Sequence, residues 1–253
     1  MFTGSVATGI SVATAAAQNV VPCILELGGK SAAIVYEDAD IDNLVDSVRW
    51  ALFFHNGQVC SAMSRVLVQA SIYDDVIDAV RARAESMSIG PGIDDPDMGS
   101  MMSFSQRDRA AGLTEQAIAD GARLVTGGTR PDLPGSFYRP TLLADVTPEM
   151  MIAREEVFGP VLSAIPFETE EDALRIANGT DYGLVGGVFT RDVARAMRTA
   201  RDLMGSQIFV NEWYIGGVET PFGGYRKSGY GREKGREALM NYVQTKNIGI
   251  RLT

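Results

Sequence analysis

Histidine is almost missing from this 253-residue chain, which contains one, His55. Cysteine is nearly as scarce, with Cys23 and Cys60 the only two. Two cysteines provide no disulfide framework, and with one histidine they leave too few ligands for a side-chain zinc site. No metal centre is therefore expected. No apolar run approaches the roughly 20 residues that span a bilayer. The opening MFTGSVATGI lacks the basic-then-apolar order of a signal peptide, so a cytoplasmic protein with no membrane partner is expected. Positive charge is in deficit, with 23 Lys and Arg against 32 Asp and Glu, a net −9. Nucleic acids are held through Lys and Arg, so they are not expected partners. The one locally basic stretch, YRKSGYGREKGRE, alternates with Gly and Glu and reads as a solvated loop. Catalysis by this chain must come from cysteine, carboxylates or a cofactor.

Apolar residues make up 45% of the chain, enough for a large core. Short β-branched runs alternate with helical stretches. SAAIVYE (31–37) predicts a strand, followed by a helix from about Asp40 to Phe54. RVLVQ (65–69) predicts a second strand, then a helix from Asp74 to Met87 with Val76, Ile77, Val80 and Ala84 on one side. A turn at 90–99 precedes a helix over Ser103–Asp120 and the run ARLVTGG. GPVLSAIPF, LVGGVFT and SQIFVNE follow as strands, separated by helices near 169–178 and 192–203. This alternation predicts an α/β fold built of βαβ units around a parallel sheet. There is no internal repeat or low-complexity tract.

The stretch SVATGISVATAAAQNV (5–20) predicts a helix that is apolar or small on nearly every side. Such a helix packs on more than one face, and nothing precedes it to supply the neighbours. The chain is therefore expected to be part of a larger fold.

Several short stretches carry chemistry. FTGS (2–5) puts a Gly-Ser step before that helix, where free N–H groups and the positive helix end suit phosphate. Ser5 as an ordinary helix cap is the plainer alternative. LELGGKS (25–31) places Glu26 among Ile24, Leu25 and Leu27. A carboxyl buried there has its charged form disfavoured and is poised as a general base; a surface strand whose acid faces water is equally open. Cys23, in VPCILEL, reads as a small core hydrophobe. Cys60 follows Asn-Gly-Gln-Val in FFHNGQVCSAMSR, where backbone N–H groups would favour its thiolate. His55 lies five positions away, a poor match to one helix face, so a Cys-His pair is not favoured.

Taken together, FTGS, ELGGKS, FFHNGQVCSAMSR, MIAREEVFGPV, DYGLVGGVFTRD, NEW and PFGGYRKSGYGRE resemble the aldehyde dehydrogenase superfamily, in order and spacing. Glu26 and Cys60 lie 34 positions apart, as that family's base and nucleophile do. The resemblance covers this chain and about the C-terminal half of a family subunit. It implies that Cys60 attacks an aldehyde to form a thiohemiacetal, that hydride passes to NAD or NADP, and that Glu26 activates the water that hydrolyses the thioester. The Cys60 N–H would be half of an oxyanion hole. Gly4 and Ser5 would sit near the cofactor pyrophosphate, Leu27 and Gly28 beside the nicotinamide, and Glu156 and Phe158 on its ribose. Phe54, Trp213 and Tyr214 would shape the substrate tunnel. Gly99-Ser100 stands where the family usually has Gly-Pro, and Arg226 where Lys is usual.

The implied organisation is a remnant of the cofactor-binding domain over 1–28, a catalytic domain over 29–228, and a C-terminal helix and oligomerisation strand over 229–253. A homo-oligomer is the implied assembly, since the alternating VQTKNIGIRL end suits addition to a partner's sheet edge. The family's second oxyanion donor, its adenosine-ribose lysine and most of its dinucleotide sheet have no counterpart in this chain. The alternative reading is therefore a truncated, non-catalytic fragment or assembly partner that binds no cofactor.

Overall fold

The fold comes from a computed structural model that describes residues 1–252. In chain order the elements are β1 (Phe2–Thr3), α1 (Val6–Gln18), β2 (Leu25–Glu26), β3 (Ala32–Val35), α2 (Ile41–Val48), β4 (Arg65–Gln69), α3 (Tyr73–Ser86), α4 (Phe104–Ala119), β5 (Arg123–Thr126), β6 (Thr141–Ala144), α5 (Met151–Arg154), β7 (Val161–Phe167), α6 (Glu170–Ala177), β8 (Val185–Phe189), α7 (Val193–Asp202), β9 (Gln207–Val210) and β10 (Gly229–Tyr230). Seven strands form one sheet in the order β5-β6-β7-β4-β3-β8-β9, parallel except where β5 meets β6. A second sheet of three short strands, β1-β2-β10, lies apart from it.

The main sheet is covered on both faces, as parallel sheets are. Side-chain alternation divides each central strand between two cores. Ala33 and Val35 of β3 and Val66 and Val68 of β4 join Leu44, Val48, Val76 and Val80 from α2 and α3. Ala32, Ile34 and Leu67 join Ala110, Ala173, Ile176 and Ala196 from α4, α6 and α7 on the other face. Helix starts are set by side-chain oxygens that accept otherwise unpaired N–H groups. Asp40 caps α2, Ser103 caps α4, Thr169 caps α6 and Asp192 caps α7.

The α/β class and the parallel central sheet agree with the sequence reading, but several elements depart from it. Strand β6 was not anticipated: its TLLA is short and follows a proline-rich stretch. Strand β5 runs antiparallel to β6, because no helix lies between them to carry the chain back across the sheet. Helix α2 ends at Val48, not near Phe54. A π-helical turn over Arg49–Phe53 and a 3-10 turn over Phe54–Gly57 follow it. Helix α1 buries only Gly9, which lies against the Leu27 side chain, whereas packing on more than one face was expected. Cys23 is half-buried with its Sγ 3.0 Å from the Tyr230 hydroxyl, so it is not a core residue.

The C-terminal stretch also differs from the expected helix and strand. Glu237–Tyr242 forms a 3-10 turn, and residues 243–252 pair with no strand among the described residues. Its large apolar residues, among them Leu239, Met240, Ile248 and Ile250, are exposed. Without an apolar face to bury, a helix this short gains too little to offset nucleation. Thr253, last in the expected C-terminal unit, lies outside the described residues. Among the described residues, no helix is long and apolar enough to cross a membrane.

Leu67 is wholly buried in the central strand β4. Leu67→Ala should lower unfolding free energy by about 2–5 kcal/mol through lost burial and the cavity left behind. Urea denaturation of the two proteins measures this difference.

Candidate active site

Cys60 owes its position to a reversal of the chain after the π-helical turn. His55, Asn56 and Gly57 all have positive φ, at 54°, 56° and 65°. Gly57 meets the Gly159 carbonyl so closely that a Cβ there would fall 2.2 Å from its oxygen. Asn56 is buried and donates from Nδ2 to the Ser100 carbonyl. Beyond the reversal, the Ala62 N–H donates to Val59 and the Met63 N–H to Ala51. Trp213 supports the turn from behind, its indole N–H donating to the Ser61 carbonyl at 3.1 Å. On the other side, a Cβ on Gly29 would lie 2.5 Å from the Cys60 carbonyl oxygen. The LGG segment and the cysteine turn can therefore approach only because position 29 has no side chain.

Glu26 sits at the middle of the small sheet, with β1 parallel on one side and β10 antiparallel on the other. The Gly4 N–H donates to its carbonyl at 3.0 Å, which ties FTGS to ELGG. One residue on, the Leu27 N–H donates to the Ser228 carbonyl, and the Ser228 hydroxyl donates to Gly28 O at 2.7 Å. Only 2% of Glu26 is exposed, and neither carboxyl oxygen has a hydrogen-bond partner among the described residues. Burial, with repulsion from Glu233, raises its pKa from the usual carboxylate range to about 7; Arg232 offsets a smaller part. This resolves the alternatives left open for Glu26: it does not face water.

Glu156 reaches the site from the loop after α5. Its Oε1 accepts the Gly29 N–H at 3.1 Å. The loop is clamped by α4, where Gln106 and Arg109, three apart on one helix face, donate to the Glu156, Val157 and Phe158 carbonyls. Phe158 itself has φ 52°.

An open cleft of about 780 Å³ brings these groups together. Its walls include eight of the eleven residues expected from sequence, namely Gly4, Ser5, Glu26, Leu27, Gly28, Cys60, Glu156 and Phe158. Three others are elsewhere. Phe54 is exposed in a separate recess beside Arg49 and Trp50. Tyr214 lines a third recess with Ser61 and Phe222. Trp213 is buried, packed on Phe209 with ring centroids 5.5 Å apart. His55 is exposed and lines none of these spaces. Sequence reading missed Gln58, Met102, Gln106 and Arg109 on the cleft wall. Their only linear signal was the i, i+3 spacing of Gln106 and Arg109.

The electrostatics at Cys60 run opposite to expectation. Its thiol pKa is raised to about 11, first by burial and then by the carboxylates of Glu156 and Glu26. The backbone N–H groups of Ser61 and Cys60 favour thiolate, as the sequence suggested, but they are outweighed. The site holds this sulfur as a thiol.

A family model described as the aldehyde dehydrogenase family matches residues 1–248. A betaine aldehyde dehydrogenase of Cereibacter sphaeroides is 43% identical over 250 residues, 98% of this chain and 52% of that protein. One from Rhizobium leguminosarum bv. trifolii is 43% identical over 253 residues, again 52% of its length. A crystal structure of betaine aldehyde dehydrogenase from Staphylococcus aureus in complex with NAD+ superimposes with a TM-score of 0.93 at 41% identity. It covers 95% of this chain and 49% of that one. A point mutant of the same enzyme, with NAD+ and a BME-modified cysteine, has a TM-score of 0.94 over 97% of this chain and 51% of that one. The chain spans about half the length of the curated relatives it matches.

Two acids oppose ionisation of Cys60, so removing one should ease it. Glu156→Gln should shift the pH midpoint of iodoacetamide alkylation at Cys60 downward from about 11. Peptide mapping by mass spectrometry separates this signal from Cys23. An unchanged midpoint would show that Glu156 exerts no field on the sulfur.

Proposed function

Since the chain belongs to the aldehyde dehydrogenase family, we propose that its cleft performs the acyl chemistry of aldehyde oxidation, with Cys60 as nucleophile and Glu26 as base. The observation that carries this reading is the buried Glu26 carboxyl, unpartnered and poised near pH 7, in one cleft with Cys60. Cys60 Sγ adds to the aldehyde carbon and forms a thiohemiacetal. A thiol at about 11 and a carboxyl at about 7 oppose full ionisation before attack. The proton therefore passes from sulfur to water in the cleft as the S–C bond forms. The Cys60 N–H donates to no backbone carbonyl, which leaves it free for the developing oxyanion, a role worth about 3 kcal/mol. Once the thioester exists, Glu26 as carboxylate takes a proton from water, and the oxygen attacks the acyl carbon. The acid departs and the thiol is restored.

The cleft residues fit a nicotinamide dinucleotide. Gly28 has no Cβ, and one would lie 2.3 Å from Glu156 Oε2, so the LGG backbone and the Glu156 carboxyl lie together on the cleft wall. The N-terminus of the 13-residue α1 opens on Gly4 and Ser5 in the same cleft. Gly4 and Ser5 would hold the pyrophosphate, Leu27 and Gly28 the nicotinamide, and Glu156 and Phe158 its ribose. NAD or NADP, when bound, accepts the hydride. The S. aureus relative was crystallised with NAD+, which supports that choice. The substrate class is a small-molecule aldehyde that enters the open cleft lined by Cys60, with Trp213 supporting the nucleophile turn from behind.

We assign residues 1–28 to cofactor contacts, 29–228 to the catalytic body and 229–253 to assembly. The exposed apolar C-terminal segment supports a homo-oligomer in which that segment adds to a second copy. Coverage of half the relatives' length supports a second reading, a non-catalytic fragment or assembly partner. Saturable NADH binding by the 253-residue chain, followed by fluorescence, would exclude it.

Hydrolysis of p-nitrophenyl acetate tests the acyl chemistry without cofactor. Glu26 acts as base only when unprotonated, so turnover should rise through pH 7 and fall below it. Glu26→Gln should still acylate Cys60 but hydrolyse the acyl-enzyme about 10²–10⁴-fold more slowly. Cys60→Ala should abolish acylation; activity that survives it refutes the assignment.

A further inference from the structure

Below the LGG segment is a second polar chamber, separate from the cleft. It has room for one water-sized or halide-sized particle, about 20 Å³. Its walls include Lys30, Ser31, Arg65, Asn178, Thr180 and Tyr182, and no acidic residue lines it. Lys30 and Arg65 are each only 2% exposed. The Arg65 guanidinium is well supplied, donating to the Lys30, Ile176 and Ala177 carbonyls at 2.8–3.0 Å. Lys30 is not: its Nζ and the neighbouring Ser31 Oγ are both buried without a hydrogen-bond partner. Glu155 and Glu156 act on Lys30 from a distance, and neither forms an ion pair with it.

Burying two cations with no paired anion carries a large desolvation penalty. Here Lys30 responds with a pKa lowered to about 7, through burial and then repulsion from Arg65. A counterion in the chamber would relieve the same imbalance and supply an acceptor to both unpartnered groups. No carboxylate on the chamber wall would repel an anion there, and the space is of the size of a single small particle.

We propose that this chamber is a binding site for a single small monovalent anion of the halide class, held by Lys30 Nζ and Ser31 Oγ within the field of Arg65. None of these residues takes part in the proposed acyl chemistry, so the two assignments stand or fall separately.

Crystals of the chain grown in sodium bromide provide the direct test. An anomalous bromine peak in the chamber, beside Lys30 Nζ, is the expected result. Water at that point, or bromide at surface positions only, overturns the proposal. In solution, bromide at tenfold over its dissociation constant should raise the unfolding midpoint by roughly 3–6 °C over matched sodium gluconate, an anion too large for the chamber. Lys30→Met should remove that halide-dependent rise. If this variant does not fold, the wild-type halide-against-gluconate difference decides alone; equal midpoints count against the site.

Discussion

The structure around the cleft depends on keeping one carboxyl group, that of Glu26, out of water and without a partner. Such burial is expensive, and the fold sustains it by trapping β2 between strands from the two ends of the chain. β1 comes from the first residues and β10 from beyond residue 228, so Glu26 is held by backbone ladders and not by side-chain contacts. A salt bridge to the carboxyl would have been the easier solution, but it would fix the charge and lower the pKa. The ladder leaves the carboxyl free to exchange a proton near neutrality.

The same strand organises its neighbours. Glu26 O accepts from Gly4, Gly28 O accepts from Ser228, and Gly29 N donates to Glu156. Five consecutive residues, Leu25 to Gly29, thus connect the phosphate-suited helix start, the C-terminal loop and the EEVFGP loop. Gly28 and Gly29 are needed because their missing side chains let Glu156 and the Cys60 turn come close. A compact motif of this kind reads clearly in sequence because each residue type answers to a separate backbone contact.

That explains what was legible and what was not. The parallel centre of the sheet was visible because β3, β4, β7 and β8 are short, largely apolar runs buried along most of their length. Strand β6 was missed because four residues after a proline carry little pattern, and the direction of β5 depends on a connection that lacks a helix. At the site, the motifs singled out Cys60, Glu26 and Glu156, and the fold brings all three to one cleft. Their protonation could not be read from the motifs, because the state of Cys60 is set first by burial and then by acids 96 positions after it and 34 before it. The clamp of Gln106 and Arg109 was hidden for a similar reason: ordinary polar residues on an exposed helix acquire a role only when a distant loop docks on them. Phe54, Tyr214 and Trp213 were expected along one tunnel, but the positive-φ reversal at 55–57 turns Phe54 away from the others.

The raised thiol pKa need not count against Cys60 as nucleophile. A thiolate standing in an open cleft is the form that oxidises and exchanges with other thiols. Burial, and after it Glu156 and Glu26, suppress that form at rest. Nucleophilicity also falls as thiol pKa falls, so a sulfur at about 11 is intrinsically more reactive once its proton leaves. The two carboxylates therefore impose a condition: the proton must leave while the S–C bond forms. Neutralising either acid should make the sulfur easier to ionise but less closely coupled to substrate. A positive charge entering the cleft would act in the same direction as removing an acid, reversibly and only when bound. Under the proposed function, a nicotinamide dinucleotide held by Gly4, Ser5, Leu27, Gly28, Glu156 and Phe158 would bring such a charge into the cleft that Cys60 lines.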